Sequence, residues 1–203
     1  KASQLQNKRV LFIGTDMAVG KMTAGLELYS WLLEHKKKVG FVATGQIGIT
    51  ITGKGIPLDA FKVDHACGAV EQVVLDQADK DIILIEGQGS LLHPGSTATL
   101  PLMRGSCPTH LILCLRAEKK TLRSPEHIKI PDLNDFIALN ESLASVFGTF
   151  PMSRVIGIAA NTSMLSDNDA KAYLSKTSKD TGLVTTDPIR YGIAPIGEQI
   201  LMS

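Results

Sequence analysis

Apolar runs punctuated by glycine give the chain a strand-then-helix rhythm. Arg9-Val10-Leu11-Phe12-Ile13 is nearly continuous in apolar character and predicts a strand buried on both faces. Residues 24–33 alternate at helical spacing. They end in His35-Lys36-Lys37-Lys38, cations that suit the negative end of a helix dipole. The rhythm then repeats. Strands are expected over 39–44, 81–86, 109–115, 154–160 and 183–186. Helices are expected over 66–78, 97–104, 132–146, 167–176 and 196–202, with Asp132 and Ser166 as N-caps. Between them, 1–8 reads as a polar tail or linker and 45–49 as a glycine-spaced loop. Residues 50–62 read as irregular, and 117–131, with Pro125 and Pro131, as a long surface loop.

Strands alternating with helices predict right-handed crossovers and a mainly parallel sheet of about six to seven strands, covered on both faces. The result is a three-layer α/β domain over 9–203, with no second domain and no internal repeat. In such sheets ligands bind beyond the carboxyl ends of the strands. That rule selects 14–23, 44–48, 86–90, Arg116 and Asn161.

The first of these stretches organises the rest. Gly14-Thr15-Asp16-Met17-Ala18-Val19-Gly20-Lys21-Met22-Thr23 joins the first strand to the first helix. Strand, glycine loop, lysine and helix are the context of a phosphate-binding loop, and they make the fold P-loop NTPase-like. Backbone N–H groups and the helix start make a cationic cradle. Gly20 allows close approach of an anion, and Lys21 adds a point charge. The loop departs from the common pattern in two ways. Five residues, not four, separate Gly14 from Gly20-Lys21, and Met22 stands where a Ser or Thr hydroxyl would bind Mg²⁺. A thioether is a poor ligand for a hard cation. Thr23, one place later, can still reach a phosphate.

Composition narrows the field. A formal charge of +1 on 203 residues supplies no basic face for nucleic acid. Hydrophobic residues at 44% indicate a globular chain, yet no run is long enough to span a membrane and no signal peptide is visible. Cys67, Cys107 and Cys114 lack metal-ligand spacing, which fits a reducing, cytoplasmic setting. The chain opens Lys1-Ala2-Ser3 without an initiator Met, as a processed or excised chain would.

Other candidates flank the cradle. Glu86 closes an apolar strand before Gly87-Gln88-Gly89; it holds metal, positions a nucleophile, or accepts backbone N–H bonds at a strand end. Asp64 is a site carboxylate or a plain N-cap. Asp16, which would repel phosphate, is expected to turn sideways to a metal or a loop hydroxyl. His93, before Pro94, is a general base or a solvated loop histidine. Asn161 reads a base edge or an amide, or caps its turn. No metal-ligand set stands out.

These motifs bear a resemblance. The Gly-Thr-Asp-x-x-Val-Gly-Lys loop, Glu86-Gly87-x-Gly89 and Asn161 resemble dethiobiotin synthetase, which however places Thr after the lysine. The chain is more similar to the C-terminal phosphate-loop domain of the D-glutamate N-acetyltransferase-like family, long catalogued as a domain of unknown function. The shared features are Gly14 through Met22-Thr23, Ala43-Thr44-Gly45-Gln46-x-Gly48, Asp64 with Gly68-Ala69-x-Glu71, Glu86-Gly87-Gln88-Gly89-Ser90 with His93-Pro94, and Asp187-Pro188. The resemblance implies acetyl transfer from acetyl-CoA to the amine of D-glutamate or a similar amino acid. It also implies a Rossmann-like N-terminal domain of roughly a hundred residues or more, absent from this sequence. Cofactor contacts are then expected from Gly14, Thr15, Asp16, Ala18, Val19, Gly20, Lys21, Met22, Thr23, Thr44, Gln46, Gln88 and Asn161. Glu86, Asp64 and His93 are the candidate bases, unranked. ATP with Mg²⁺, in a ligase or kinase-type site, is the alternative, and a non-catalytic nucleotide-binding module is a third. The expected partner is a small amino-acid substrate, with neither nucleic acid nor membrane, and a homo-oligomer is left open.

Overall fold

The computed structural model describes residues 1–203. The strands are β1 Lys8–Gly14, β2 Val39–Val42, β3 Ile82–Ile85, β4 His110–Arg116, β5 Arg154–Asn161 and β6 Thr185–Thr186. The helices are α1 Lys21–Glu34, α2 Gln46–Thr52, α3 Val63–Leu75, α4 Thr99–Ser106, α5 Leu133–Ser145, α6 Asp167–Thr181 and α7 Ala194–Met202. All six strands are parallel, in the order β2-β3-β1-β4-β5-β6. This is a three-layer α/β fold.

Side-chain alternation along β1 divides the core. Leu11 and Ile13 face a cluster with Val70, Val74, Leu102, Met103 and Phe136, from α3, α4 and α5. Val10 and Phe12 face a second cluster with Leu28 and Leu32 of α1 and Ile196 and Ile200 of α7. β1 pairs on both sides, Val10 with Leu84 of β3 and Ile13 with Leu113 of β4. It is therefore buried on both faces and both edges, which is why its sequence is continuously apolar. Truncating Phe12, which is 1% exposed, to Ala would cost about 3–5 kcal/mol.

The cap expectations hold: Asp132 accepts from Asn134 N–H and Ser166 from Asp169 N–H. Three local readings do not. Residues 46–52, read as loop, are the helix α2. It forms despite β-branched residues because packing overrides propensity: Gly48 lets the helix lie close against Ala43 and Glu86, just past β2 and β3, where a Cβ would stand 2.5 Å from Glu86 Oε2. Helix α3 starts at Val63, so Asp64 sits exposed in its first turn and caps nothing. Residues 1–8, read as a polar tail, are packed. Ala2 is fully buried, the Lys1 amino group and Ala2 N–H both donate to Glu71 Oε1, and Lys8 begins β1. No helix is long and apolar enough to cross a membrane.

Candidate functional site

The loop between β1 and α1 is wound tightly over the sheet. Gly20 has φ 103°, a left-handed conformation that favours glycine even though a Cβ there would meet nothing. Ala18 is also left-handed (φ 53°), a strain of about 1–2 kcal/mol. Its carbonyl accepts from Arg116 Nη2 at 3.2 Å. Lys21, 6% exposed, donates through Nζ to the Asp16 carbonyl at 2.9 Å. Burial lowers the Lys21 pKa; Cys114, Asp16 and Glu86 oppose the fall. Burial pushes the Cys114 thiol up to about 12, so it is uncharged near neutrality, and the two carboxylates are the effective counter-charges.

Asp16 does turn sideways, but to backbone rather than to a metal or a hydroxyl. Its Oδ1 accepts from Met17 N–H at 2.6 Å and its Oδ2 from Arg123 N–H at 2.7 Å. Thr15 is buried, and its N–H donates to Cys114 O. Met17, Ala18, Gly20, Lys21, Met22 and Thr23 line a cleft of about 400 Å³, closed on its far side by Gly87-Gln88-Gly89.

The end of β3 is stitched to the end of β2. Glu86, 5% exposed, accepts through Oε2 from Thr44 N–H (2.8 Å) and Gly45 N–H (3.2 Å). Thr44 Oγ1 donates to Glu86 O at 2.9 Å, and Gln88 Nε2 to Thr44 O at 2.5 Å. Thr44 is thus fully buried as a strut, while Gln46 is exposed at the start of α2. Gly87 has no room for a side chain: a Cβ would fall 1.6 Å from Phe12 O. His93 has both ring nitrogens engaged, Nε2 with Ser124 O at 2.7 Å and Nδ1 with Gly95 N–H at 3.1 Å. Nδ1 is therefore the acceptor and Nε2 the donor.

Three cavities meet along the carboxyl ends of the strands. One of about 300 Å³ is lined by Val19, Gly20, Thr23, Asn161, Asp187 and Arg190, among others. It shares Gly20 and Thr23 with the phosphate-loop cleft. Beyond that cleft, and sharing Met17, Gln88 and Gly89 with it, is a cavity of about 210 Å³ bordered by Leu58, Asp59, Phe61, Ser96 and Pro101. Glu86, Asp64 and His93 line none of the three. Asn161 Oδ1 accepts from Ser163 N–H, as a turn cap would, on the wall of the first cavity.

Sequence reasoning gave Asp187 and Arg190 no role. Asp187 carries four bonds: Oδ2 accepts from Thr162 N–H and Oγ1, and Oδ1 from Ile189 and Arg190 N–H. An Asp-Pro pair just after a short strand was the available signal for it; Arg190 had none.

The donor set can be tested against Mg²⁺. No three His, Cys, Asp or Glu side chains converge. Position 22 carries a thioether, and three of the four carboxylate oxygens of Asp16 and Glu86 already accept backbone N–H bonds. These residues fit a phosphate cradle better than a magnesium site.

A parallel sheet in this order, with a glycine loop running from β1 into a lysine-started helix, defines a P-loop NTPase-type domain. Cobyrinic acid a,c-diamide synthase from Mycobacterium smegmatis, solved with bound ADP and magnesium, shares the fold at TM-score 0.56 and 13% identity, over 95% of this chain and 92% of that one. The chain belongs to the DUF1611 family, described as a domain of unknown function (DUF1611_C) P-loop domain, which it matches over residues 1–197. A DUF1611 family protein from Anabaena variabilis superposes at TM-score 0.96 with 46% identity, over 100% of this chain and 59% of that chain. A curated relative from Pseudoalteromonas named D-glutamate N-acetyltransferase is 36% identical over 197 residues, 97% of this chain and 59% of the relative. The chain thus spans less than two thirds of the length of these relatives.

Proposed function

We propose that this chain is the cofactor-binding domain of an N-acetyltransferase that moves an acetyl group from acetyl-CoA to D-glutamate or a similar amino acid. The observation that carries the reading is the continuous trough: a nucleoside-sized cavity, a phosphate cradle and a third cavity in line. Coenzyme A has the matching order of adenosine, diphosphate and acyl-bearing arm.

When bound, acetyl-CoA supplies an activated thioester. The N–H groups of the 14–23 loop and Lys21 Nζ hold the diphosphate, a charge that needs no metal when a buried cation faces it. Asn161 reads the adenine edge. The acceptor must lose an ammonium proton before its nitrogen attacks. Among the expected bases, Glu86 is favoured: like Asp64 and His93 it lines none of the three cavities, but it is buried close enough to Lys21 to act on its charge, and its Oε1 accepts no protein hydrogen bond. The third cavity carries Asp59 and no cation. A dicarboxylate acceptor therefore takes its counter-charges from outside this chain, in keeping with the chain's covering only 59% of the longer relatives. The relative's name supports the acceptor class.

The ATP reading draws support from fold neighbours solved with ADP or an ATP analog, two of these structures with magnesium. Calorimetric titration with acetyl-CoA and with ATP, each with and without Mg²⁺, tests the two. Metal-free acetyl-CoA binding is expected. Met22→Thr should raise ATP affinity only when Mg²⁺ is present. Tight MgATP binding and hydrolysis by the wild type, with no acetyl-CoA binding, would sink the proposal.

A further inference from the structure

Arg190 is the remaining charge on the adenosine-side cavity. The other charged lining group, Asp187, is buried and holds four donors. Two of those donors are the N–H groups of Ile189 and Arg190, so Asp187 fixes the backbone that carries Arg190. The guanidinium is exposed. It donates to the carbonyls of Leu165 (2.7 Å) and Ser166 (3.4 Å) and pairs with no carboxylate. The neighbouring acid Asp167 is taken by Lys171 at 2.7 Å and by the Tyr191 hydroxyl at 2.6 Å. A guanidinium has five N–H donors and these carbonyls take two, so donors remain for an anion.

Coenzyme A differs from ADP and ATP at the adenosine end by a phosphate on the ribose 3′-oxygen, which the phosphate loop does not serve. Resting on the acetyl-CoA reading above, we propose that Arg190 binds this 3′-phosphate and makes the cavity select coenzyme A over nucleotides that lack it. The other basic group, Arg116, Lys119 and Arg123, surrounds a space of about 20 Å³ behind the phosphate loop, far smaller than the adenosine-side cavity.

Calorimetry with coenzyme A, 3′-dephospho-coenzyme A and ADP tests this in the wild type, Arg190→Gln, Arg190→Lys and, as a control, Lys119→Gln. The wild type should prefer coenzyme A over its dephospho form by about tenfold or more. Arg190→Gln should abolish that preference while ADP affinity stays within about twofold, which also shows the variant is folded. Arg190→Lys, with charge but no fork, should keep part of it. Equal wild-type affinity for the two coenzymes, or a preference that survives Arg190→Gln, overturns the assignment and leaves the acetyl-CoA reading standing. Failure of the wild type to bind either coenzyme while it binds ADP removes both.

Discussion

The His93 ring nitrogen Nε2 stands 2.7 Å from the carbonyl oxygen of Ser124. One residue earlier, Arg123 N–H is held by Asp16 Oδ2 at the same distance. Adjacent residues of the 117–131 segment are therefore gripped from two directions, by the phosphate loop and by the loop after β3. We expect His93→Ala to free one side. Amide exchange in 117–131 should rise, and stability should fall by about 1 kcal/mol, the net worth of such a bond. Acetylation by the longer enzyme should drop only a few fold. A hundredfold loss with unchanged exchange would instead make His93 a base.

Lys21 places a cation in a nearly dry loop, where desolvation is the largest influence on it. Lys21→Met should weaken coenzyme A or ADP binding at least tenfold, about 1.4 kcal/mol. It should leave the melting temperature unchanged or raised, since an apolar side chain carries no buried charge. Undiminished affinity in the folded variant would defeat the phosphate-loop assignment.

Two helical glycines should respond oppositely to alanine. At Gly48 a Cβ would sit 2.5 Å from Glu86 Oε2, whereas at Gly68 it meets nothing. Gly48→Ala should destabilise by about 1–3 kcal/mol and disturb the Glu86 bonds to Thr44 and Gly45. Gly68→Ala should stabilise by up to about 1 kcal/mol. Urea unfolding of both variants checks the contrast; equal effects would mean that α2 does not pack on Glu86.

Asp187 gives an acid-stability signature. Desolvation, the largest influence, raises its pKa, but the bonds from Thr162, Arg190 and Ile189 together outweigh it, and the group ends below the usual aspartate value. A depressed folded pKa contributes stability above the unfolded value, near 3.9, and loses it as pH falls through the folded one. Asp187→Asn should therefore cost about 1–3 kcal/mol at neutral pH. The deficit should shrink below about pH 4, where the wild type also loses its carboxylate. Parallel stability curves for the two proteins down to pH 2 would refute this.

The strands, most of the helices and the phosphate loop are legible in the linear pattern. The runs around Val10, Leu84, Leu113 and Ile158 are apolar because both faces of a parallel sheet are covered, and the caps at Asp132 and Ser166 act over a few residues. Such signals are local, so they survive in a linear reading. What the carboxylates touch was decided elsewhere. Glu86 meets Thr44 across 42 residues, Asp16 meets Arg123 across 107, and His93 meets Ser124 across 31. Those meetings depend on strand order and register, which bring the ends of β2, β3, β1 and β4 together. The same placement sets the helix over 46–52 close against Glu86 at Gly48, a contact the linear pattern does not carry. It also put Arg190 beside Asn161 on the wall of the 300 Å³ cavity, because β5 and β6 are neighbours and their carboxyl ends open on the same side.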